Sequence, residues 1–217
     1  MIRVVLVDDH ELVRTGFRMI LAAQAGIEVI GEAADGESGL ALIRKAKPDV
    51  ALVDVHMPGL TGIEVTDRVH RANLPTRIVI LSVVSEAPFP RRLLEAGANG
   101  YLTKGCNADE LVRAVRQVAD GRRYLSPDVA ELLALGSIGR ANESPFEKLS
   151  SRELDVAVML ARGEDTQAIA RHLKLSAKTV ATYKYRLFDK LEIDNVVALA
   201  HLAHLHGLLD DGAAARA

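Results

Sequence analysis

IRVVLVDDH, residues 2–10, holds an uninterrupted apolar run, VVLV at residues 4–7, that stops on two carboxylates. Apolar residues without polar alternation mark a strand covered on both faces, as in parallel sheets flanked by helices. The pattern returns at residues 50–54, VALVD, and at residues 99–104, NGYLTK, where one charged group closes each run. Asp8, Asp9, Asp54 and Lys104 therefore fall just past the C-terminal ends of strands. Open α/β sheets bind their ligands at that edge.

Outward from these runs the apolar spacing becomes helical. Leu12, Val13, Phe17, Ile20 and Leu21 form one amphipathic stretch, with Gly26 ending it. A strand at 28–33, a helix at 37–46 stopped by Pro48, and a helix near 62–71 after an MPG turn come next. Then come a strand at 77–81, a helix near 91–96, a strand at 100–102 and a helix from 109 to 119, for which Asn107 and Glu110 have capping-box spacing. This alternation predicts an α/β fold with a doubly wound five-stranded parallel sheet.

The character changes after residue 125. One more helix is expected at 127–135, but GSIGRANESP, residues 136–145, has linker composition. Beyond Phe146 the pattern is all helical. Ser150 with Glu153 predicts a capping box opening a helix to Ala161, Asp165 caps a short helix through Leu173, and Ser176 caps a longer one to Leu191. A last amphipathic helix covers 196–206 before Gly207. The expected organisation is a first domain at 1–125, a linker at 126–146, an all-α four-helix domain at 147–208 and a tail at 209–217.

Bulk charge selects no partner. The chain carries 27 basic and 29 acidic residues, and the split is even: 17 against 19 up to residue 146, ten of each afterwards. Local patterning says more. Arg171, Lys174, Lys178, Lys184, Arg186 and Lys190 face a single acid, Asp189, between residues 171 and 190. A helix, a short turn and a basic helix make the helix-turn-helix pattern. The single cysteine, Cys106, excludes an internal disulfide and reads as a plain loop residue in a reducing compartment. With no signal-peptide pattern and no apolar run long enough to cross a bilayer, the expected location is the cytoplasm, with no membrane partner.

Asp8 and Asp9 can both reach one site only past the strand end. Two carboxylates and a carbonyl suit a Mg²⁺ ion that keeps several waters. Asp9 and Asp54 are expected as direct ligands, the His56 backbone carbonyl as the third, and Asp8 through water. Asp54 is then placed as a nucleophile for a phosphoryl group, with Lys104 and Ser82 contacting the added oxygens.

VDDH at 7–10, LVDVHMPGLTGIE at 52–64 and AGANGYLTKG at 96–105 resemble the receiver domain of two-component response regulators. The resemblance implies that Asp54 is the phosphoacceptor, that Asp8 and Asp9 are the acidic pair, and that Ser82, Tyr101 and Lys104 are the switch and phosphoryl-contact residues. It also implies phosphotransfer from a sensor histidine kinase, a Mg²⁺ cofactor and slow self-dephosphorylation, with no other enzyme activity. Many receivers have proline after the lysine; here Gly105 follows.

LSSRELDVAVMLARG at 149–163 and AIARHLKLSAKTVATYKYRLFDKLEI at 168–193 resemble the LuxR-type helix-turn-helix domain of the NarL/FixJ regulators. By position, Ala181, Thr182 and Tyr185 would face base edges of double-stranded promoter DNA. Lys178, Thr179, Tyr183, Lys184 and Lys190 would lie at phosphates. The last helix would make a homodimer on DNA through Val196, Leu199, Ala200, Leu202 and Ala203. The family often has histidine where Tyr183 stands and glutamate where Ala168 stands. SEAPFPRRLLEAGANGYLTKG and KTVATYKYRLFDKL resemble the GacA/UvrY branch, which implies a hybrid sensor kinase and activation of small regulatory RNA genes.

Two competing readings follow from the same residues. A Mg²⁺-dependent phosphatase or phosphotransferase would need a second catalytic acid close after Asp54, and Val55, His56 and Met57 stand there instead. A phosphorylation-independent regulator with this fold would not require the intact acidic pair, Asp54 and Lys104. A dinucleotide site fails because no GxGxxG follows the first strand.

Overall fold

The computed structural model describes residues 1–55, 57, 59–82, 94, 96–131, 144–173, 175–206 and 209. These fall into two compact units, one up to residue 131 and one from residue 144 onward.

The first unit is a parallel sheet of β1 (Ile2–Val7), β2 (Ile27–Ala33), β3 (Val50–Asp54), β4 (Arg77–Ser82), β5 (Gly100–Thr103) and β6 (Tyr124–Leu125), in the order β2-β1-β3-β4-β5-β6. Helices α1 (Glu11–Ala22), α2 (Gly36–Ala46), α3 (Gly62–Arg71) and α4 (Ala108–Ala119) connect them. Strand side chains alternate between two cores. Val5, Val7, Ala51, Val53, Ile78, Ile80 and Tyr101 pack with Leu40 and Ile43 of α2 and Val65 and Val69 of α3. Val4, Leu6, Val50, Leu52, Val79, Leu81 and Leu102 pack with Phe17 and Leu21 of α1 and Leu111, Val115 and Val118 of α4. Coverage of both faces is why these strands read as continuous apolar runs.

The sheet has six strands, not five. Tyr124–Leu125 pairs in parallel with Gly100–Tyr101, too short a segment to show any alternation of its own. Past it, residues 127–131 are helical and Val129 is 2% exposed within the first core. Residues 126–131 thus belong to the receiver-like unit rather than to a linker. The helix expected near 91–96 lies almost wholly outside the described residues.

Asn107 caps α4 by accepting the Glu110 N–H at 2.9 Å, but the reciprocal half of the expected capping box does not form. The Glu110 carboxylate instead accepts the Tyr124 hydroxyl at 3.3 Å, a partner that exists only because β6 forms. A complete box appears at α3, where Thr61 and Glu64 satisfy each other's backbone N–H groups.

The second unit contains a 3₁₀ turn at Pro145–Lys148 and helices α5 (Ser151–Ala161), α6 (Thr166–His172), α7 (Ala177–Leu191) and α8 (Val196–Leu205). The Ser150, Asp165 and Ser176 caps all form as the sequence predicts. Residues 153–160 of α5 are buried throughout, because α6, α7 and α8 all pack against this helix. Phe146 is fully buried and meets the His206 ring edge-to-face at 6.1 Å, so the unit begins before α5. Gly207 lies outside the described residues. Among those described, no helix is long and apolar enough to cross a membrane.

Candidate functional site

Strand order reverses between β1 and β3, since β2 lies on one side of β1 and all later strands on the other. Ligands bind α/β sheets at such a switch point. Register places Val7 beside Val53, so Asp8 and Asp54 emerge as neighbours. Both are nearly inaccessible, at 1% and 2% exposure. Oxygens of Asp8, Asp9 and Asp54 and a ring nitrogen of His10 lie within 4.8 Å of one another. Three carboxylates at that range repel strongly unless cations sit among them.

Lys104 is one such cation. Its Nζ stands 2.8 Å from Asp54 and 3.1 Å from Asp8. Burial alone would lower the Lys104 pKa, but the Asp54 and Asp8 carboxylates outweigh it and hold the ammonium above its ordinary value. Its backbone N–H bonds the Ser82 carbonyl at 2.7 Å, which fixes where the side chain starts. The His10 ring nitrogen lies 2.9 Å from Asp9 and 3.3 Å from Asp8. His10 was not among the expected site residues, although its place directly after the acidic pair could have suggested it.

The donors suit a hard divalent cation. Asp8 Oδ2 and Asp9 Oδ1 are buried oxygens, the first 3.1 Å from the Lys104 ammonium and the second 2.9 Å from the His10 ring nitrogen. Acceptor-only oxygens grouped around one point are what Mg²⁺ takes. The His56 carbonyl, expected as a further ligand, lies outside the described residues.

The loop after Asp54 is held by close packing. Gly62 opens α3 where a Cβ would collide with the Asp54 carbonyl, and its N–H bonds the Val55 carbonyl at 2.9 Å. From α2, the Glu37 carboxylate accepts the Leu60 N–H at 3.2 Å. Ser82, at 1% exposure, ends β4 opposite Thr103. Tyr101 is 2% exposed, paired with Ile80 on one side and Leu125 on the other. Cys106 is half-buried, and burial together with the Glu110 charge pushes its thiol up to about 11, too high for a reactive thiolate at neutral pH.

In the second unit, α7 buries Val180, Leu187 and Leu191. Lys178, Ala181, Thr182, Tyr185, Arg186 and Asp189 are exposed, and Tyr185 is 76% exposed despite its size. Lys184 lies over the Phe188 ring at 5.4 Å. Thr182 donates its hydroxyl to the Lys178 carbonyl at 3.0 Å, leaving its oxygen able to accept. Thr179 and Tyr183 are half-buried, and the Thr179 hydroxyl bonds that of Ser176 at 2.7 Å. Arg186 is an exposed cation on this helix that the expected contact set omitted.

Lys190 has a different task from its neighbours. Its Nζ stands 2.6 Å from the Glu153 carboxylate, which also accepts the Ser150 N–H at 2.7 Å and hydroxyl at 2.9 Å. Burial would raise the Glu153 pKa, but Lys190 and Ser150 outweigh it and hold the carboxyl below its usual range. A carboxyl with a depressed folded pKa adds stability above its unfolded value of about 4.3, and that stability is lost as pH falls through the folded value. Thermal melts between pH 7 and 3.5 should therefore fall more steeply for the unaltered protein than for Glu153→Gln below about pH 4.5. Parallel curves would show that this carboxylate does not contribute.

The expected dimer contacts need correction. Leu199 and Ala203 are 0% and 1% exposed, turned into the unit's own core, so neither can meet a partner. Val196, Ala200 and Leu202 are half-buried. The outward face of α8 is instead Val197 at 79% and Leu205 at 64%, with His201 between them. Apolar density on this helix does not tell its two faces apart.

The chain matches the model "Response regulator receiver domain" over residues 4–116 and "Bacterial regulatory proteins, luxR family" over residues 147–203. It is 49% identical to Response regulator GacA of Pseudomonas aeruginosa, over 97% of this chain and 99% of that protein. It is 46% identical to Response regulator UvrY of Escherichia coli K12, over 96% of each. Among solved structures, the response regulator ChrA of a heme-sensing two-component system aligns over 96% of this chain and 98% of that one, with 34% identity and a TM-score of 0.55. RcsB of Salmonella enterica serovar Typhimurium, bound to a promoter with the phosphomimetic BeF₃⁻, aligns over 93% and 97%, with 25% identity and a TM-score of 0.65. With an acidic site at the sheet's switch point, a basic helix in the second unit and relatives matched from end to end, this chain belongs to the response regulators that carry a luxR-type C-terminal domain.

Proposed function

We propose that the protein is a transcriptional regulator whose DNA binding is switched by phosphorylation of Asp54. The single observation that carries this reading is Lys104 bridging Asp54 and Asp8 beside Asp9, an arrangement built to receive an anion at a carboxylate. An Asp54 oxygen bonds to the phosphorus of a phosphohistidine on a sensor kinase. The phosphorus–nitrogen bond breaks, and its electron pair leaves with the imidazole. Lys104 then pairs with the phosphoryl oxygens, and the Ser82 hydroxyl donates to one of them.

Asp8, Asp9, Asp54 and the His56 carbonyl would hold Mg²⁺. The ion supplies neutralisation of the charge on the incoming phosphoryl group. Slow loss of the phosphoryl group returns the protein to rest. Work in the cytoplasm as a homodimer on paired DNA half-sites fits this reading, as does activation of small regulatory RNA genes under a hybrid sensor kinase. Similarity to GacA and UvrY along nearly the whole chain supports the last point. Genome-wide DNA occupancy of the unaltered protein against Asp54→Ala tests the reading. Occupancy of the same promoters at equal strength would overturn the phosphate switch.

Two substitutions on α7 separate phosphate contact from base readout. Lys184→Ala is expected to weaken binding to every sequence and reduce the salt slope by about one. Thr182→Ala should chiefly change sequence preference, by about 1–3 kcal/mol at one base pair. Affinity measured on specific and scrambled duplexes across salt concentrations distinguishes them. Equal behaviour of the two variants would contradict the assignment.

A further inference from the structure

β1 ends at Val7, and an extended chain carried on from it would send Asp8 and Asp9 to opposite faces, yet both turn to one site. Something must hold the chain out of its strand course at this step. The Asp8 N–H still bonds β2, to the Ala33 carbonyl at 3.1 Å. The Asp8 carbonyl does not continue the ladder. It accepts Nη1 of Arg14, from α1, at 2.6 Å. A charge-assisted bond of that length is among the stronger restraints a side chain can place on a peptide group.

Arg14 is itself fixed from the other side. Its Nε lies 3.6 Å from the Glu32 carboxylate on β2, and Arg18 holds the second Glu32 oxygen at 3.0 Å. The Arg14 side chain is 15% exposed, well covered for an arginine. The restraint therefore runs from β2 through Glu32 and Arg14 to the peptide joining Asp8 and Asp9. On the carboxylate side, the His10 N–H donates to Asp8 Oδ1 at 2.8 Å, an Asx turn that bends the chain the same way.

We propose that Arg14 is a positioning residue for the acidic pair, holding Asp8 and Asp9 on one side of the strand end in the disposition a divalent cation requires. It touches neither the cation nor the phosphoryl group. Its action passes through the Asp8 carbonyl, as groups behind metal ligands commonly orient them. The inference rests on the reading of the acidic pair as a cation site.

Calorimetric titration of the full chain with Mg²⁺ tests it, alongside thermal melts in chelator. Asp9→Ala is the reference for a lost site. Arg14→Met should bind Mg²⁺ about tenfold more weakly than the unaltered protein. Arg14→Lys keeps a cation able to donate to the carbonyl but not to fork onto Glu32, and it should lose roughly threefold. A merely structural role would lower the melting temperature and leave the Mg²⁺ dissociation constant unmoved. Constants within twofold for both Arg14 variants overturn the proposal, provided Asp9→Ala is weaker than the unaltered protein. If Asp9→Ala binds as well as the unaltered protein, the cation site itself fails and the proposal falls with it. Should Arg14→Met not fold, Arg14→Lys decides alone.

Discussion

Asp54→Ala is expected to take up no phosphoryl group from a small phosphodonor or a phosphorylated kinase, a fall of roughly 100-fold or more against the unaltered chain. The reason lies in the geometry. The Asp54 side chain is 3% exposed, 2.8 Å from Lys104, and stands at the end of a strand whose register sets it beside Asp8. Asp8 is as buried but already bonds the His10 N–H, and Asp9 lies on the more exposed side of the cluster. Neither replaces the lost oxygen in that place. Phosphate-affinity gels measure the result. Full labelling of the variant would show that another residue is the acceptor. Turnover of a phosphate ester beyond one equivalent would favour a phosphatase.

The second large effect concerns α8. Leu199→Asp places a carboxylate at a position with 0% exposure and should cost more than about 4 kcal/mol, enough to unfold the second unit. Val197→Asp alters a residue that is 79% exposed and should change stability by less than about 0.5 kcal/mol. The same charge on the outward face would still weaken pairing of two copies on DNA, because like charges would meet across a two-fold axis. Circular dichroism melts report the first outcome, and footprinting on paired half-sites the second. Equal melting of the two variants would mean that α8 does not sit as described. Intact dimers with Val197→Asp would mean that a different face pairs.

Much of the site was legible because chemistry and periodicity coincided. A run such as VVLV needs cover on both faces, and a charge directly after it must lie at the sheet's edge, so local sequence alone places Asp8, Asp9, Asp54 and Lys104 there. Caps were equally readable where side chain and N–H lie within one turn, as at Ser150, Asp165 and Ser176. Asn107 shows the limit. Its own bond formed, yet Glu110 was taken by Tyr124, fourteen residues further on, from a strand too short to announce itself.

The sequence by itself determined the two-part architecture, the strand ends that bear the charged groups, and the basic helix with its apolar stripe. These depend on local spacing, which the chain carries in its own order. Only the tertiary structure decided which partner each of those groups finds. Lys190 looks like one more cation on a basic helix until Glu153 stands 2.6 Å away. Arg14 looks like a solvated helix residue until its guanidinium meets the Asp8 carbonyl. Leu199 and Val197 are both apolar residues of one short helix, and only the packing of α5 against α8 turns one inward and leaves the other outside. Ion pairs and faces depend on distance in space, and at separations such as the 37 residues between Glu153 and Lys190 the sequence holds no local signal of it.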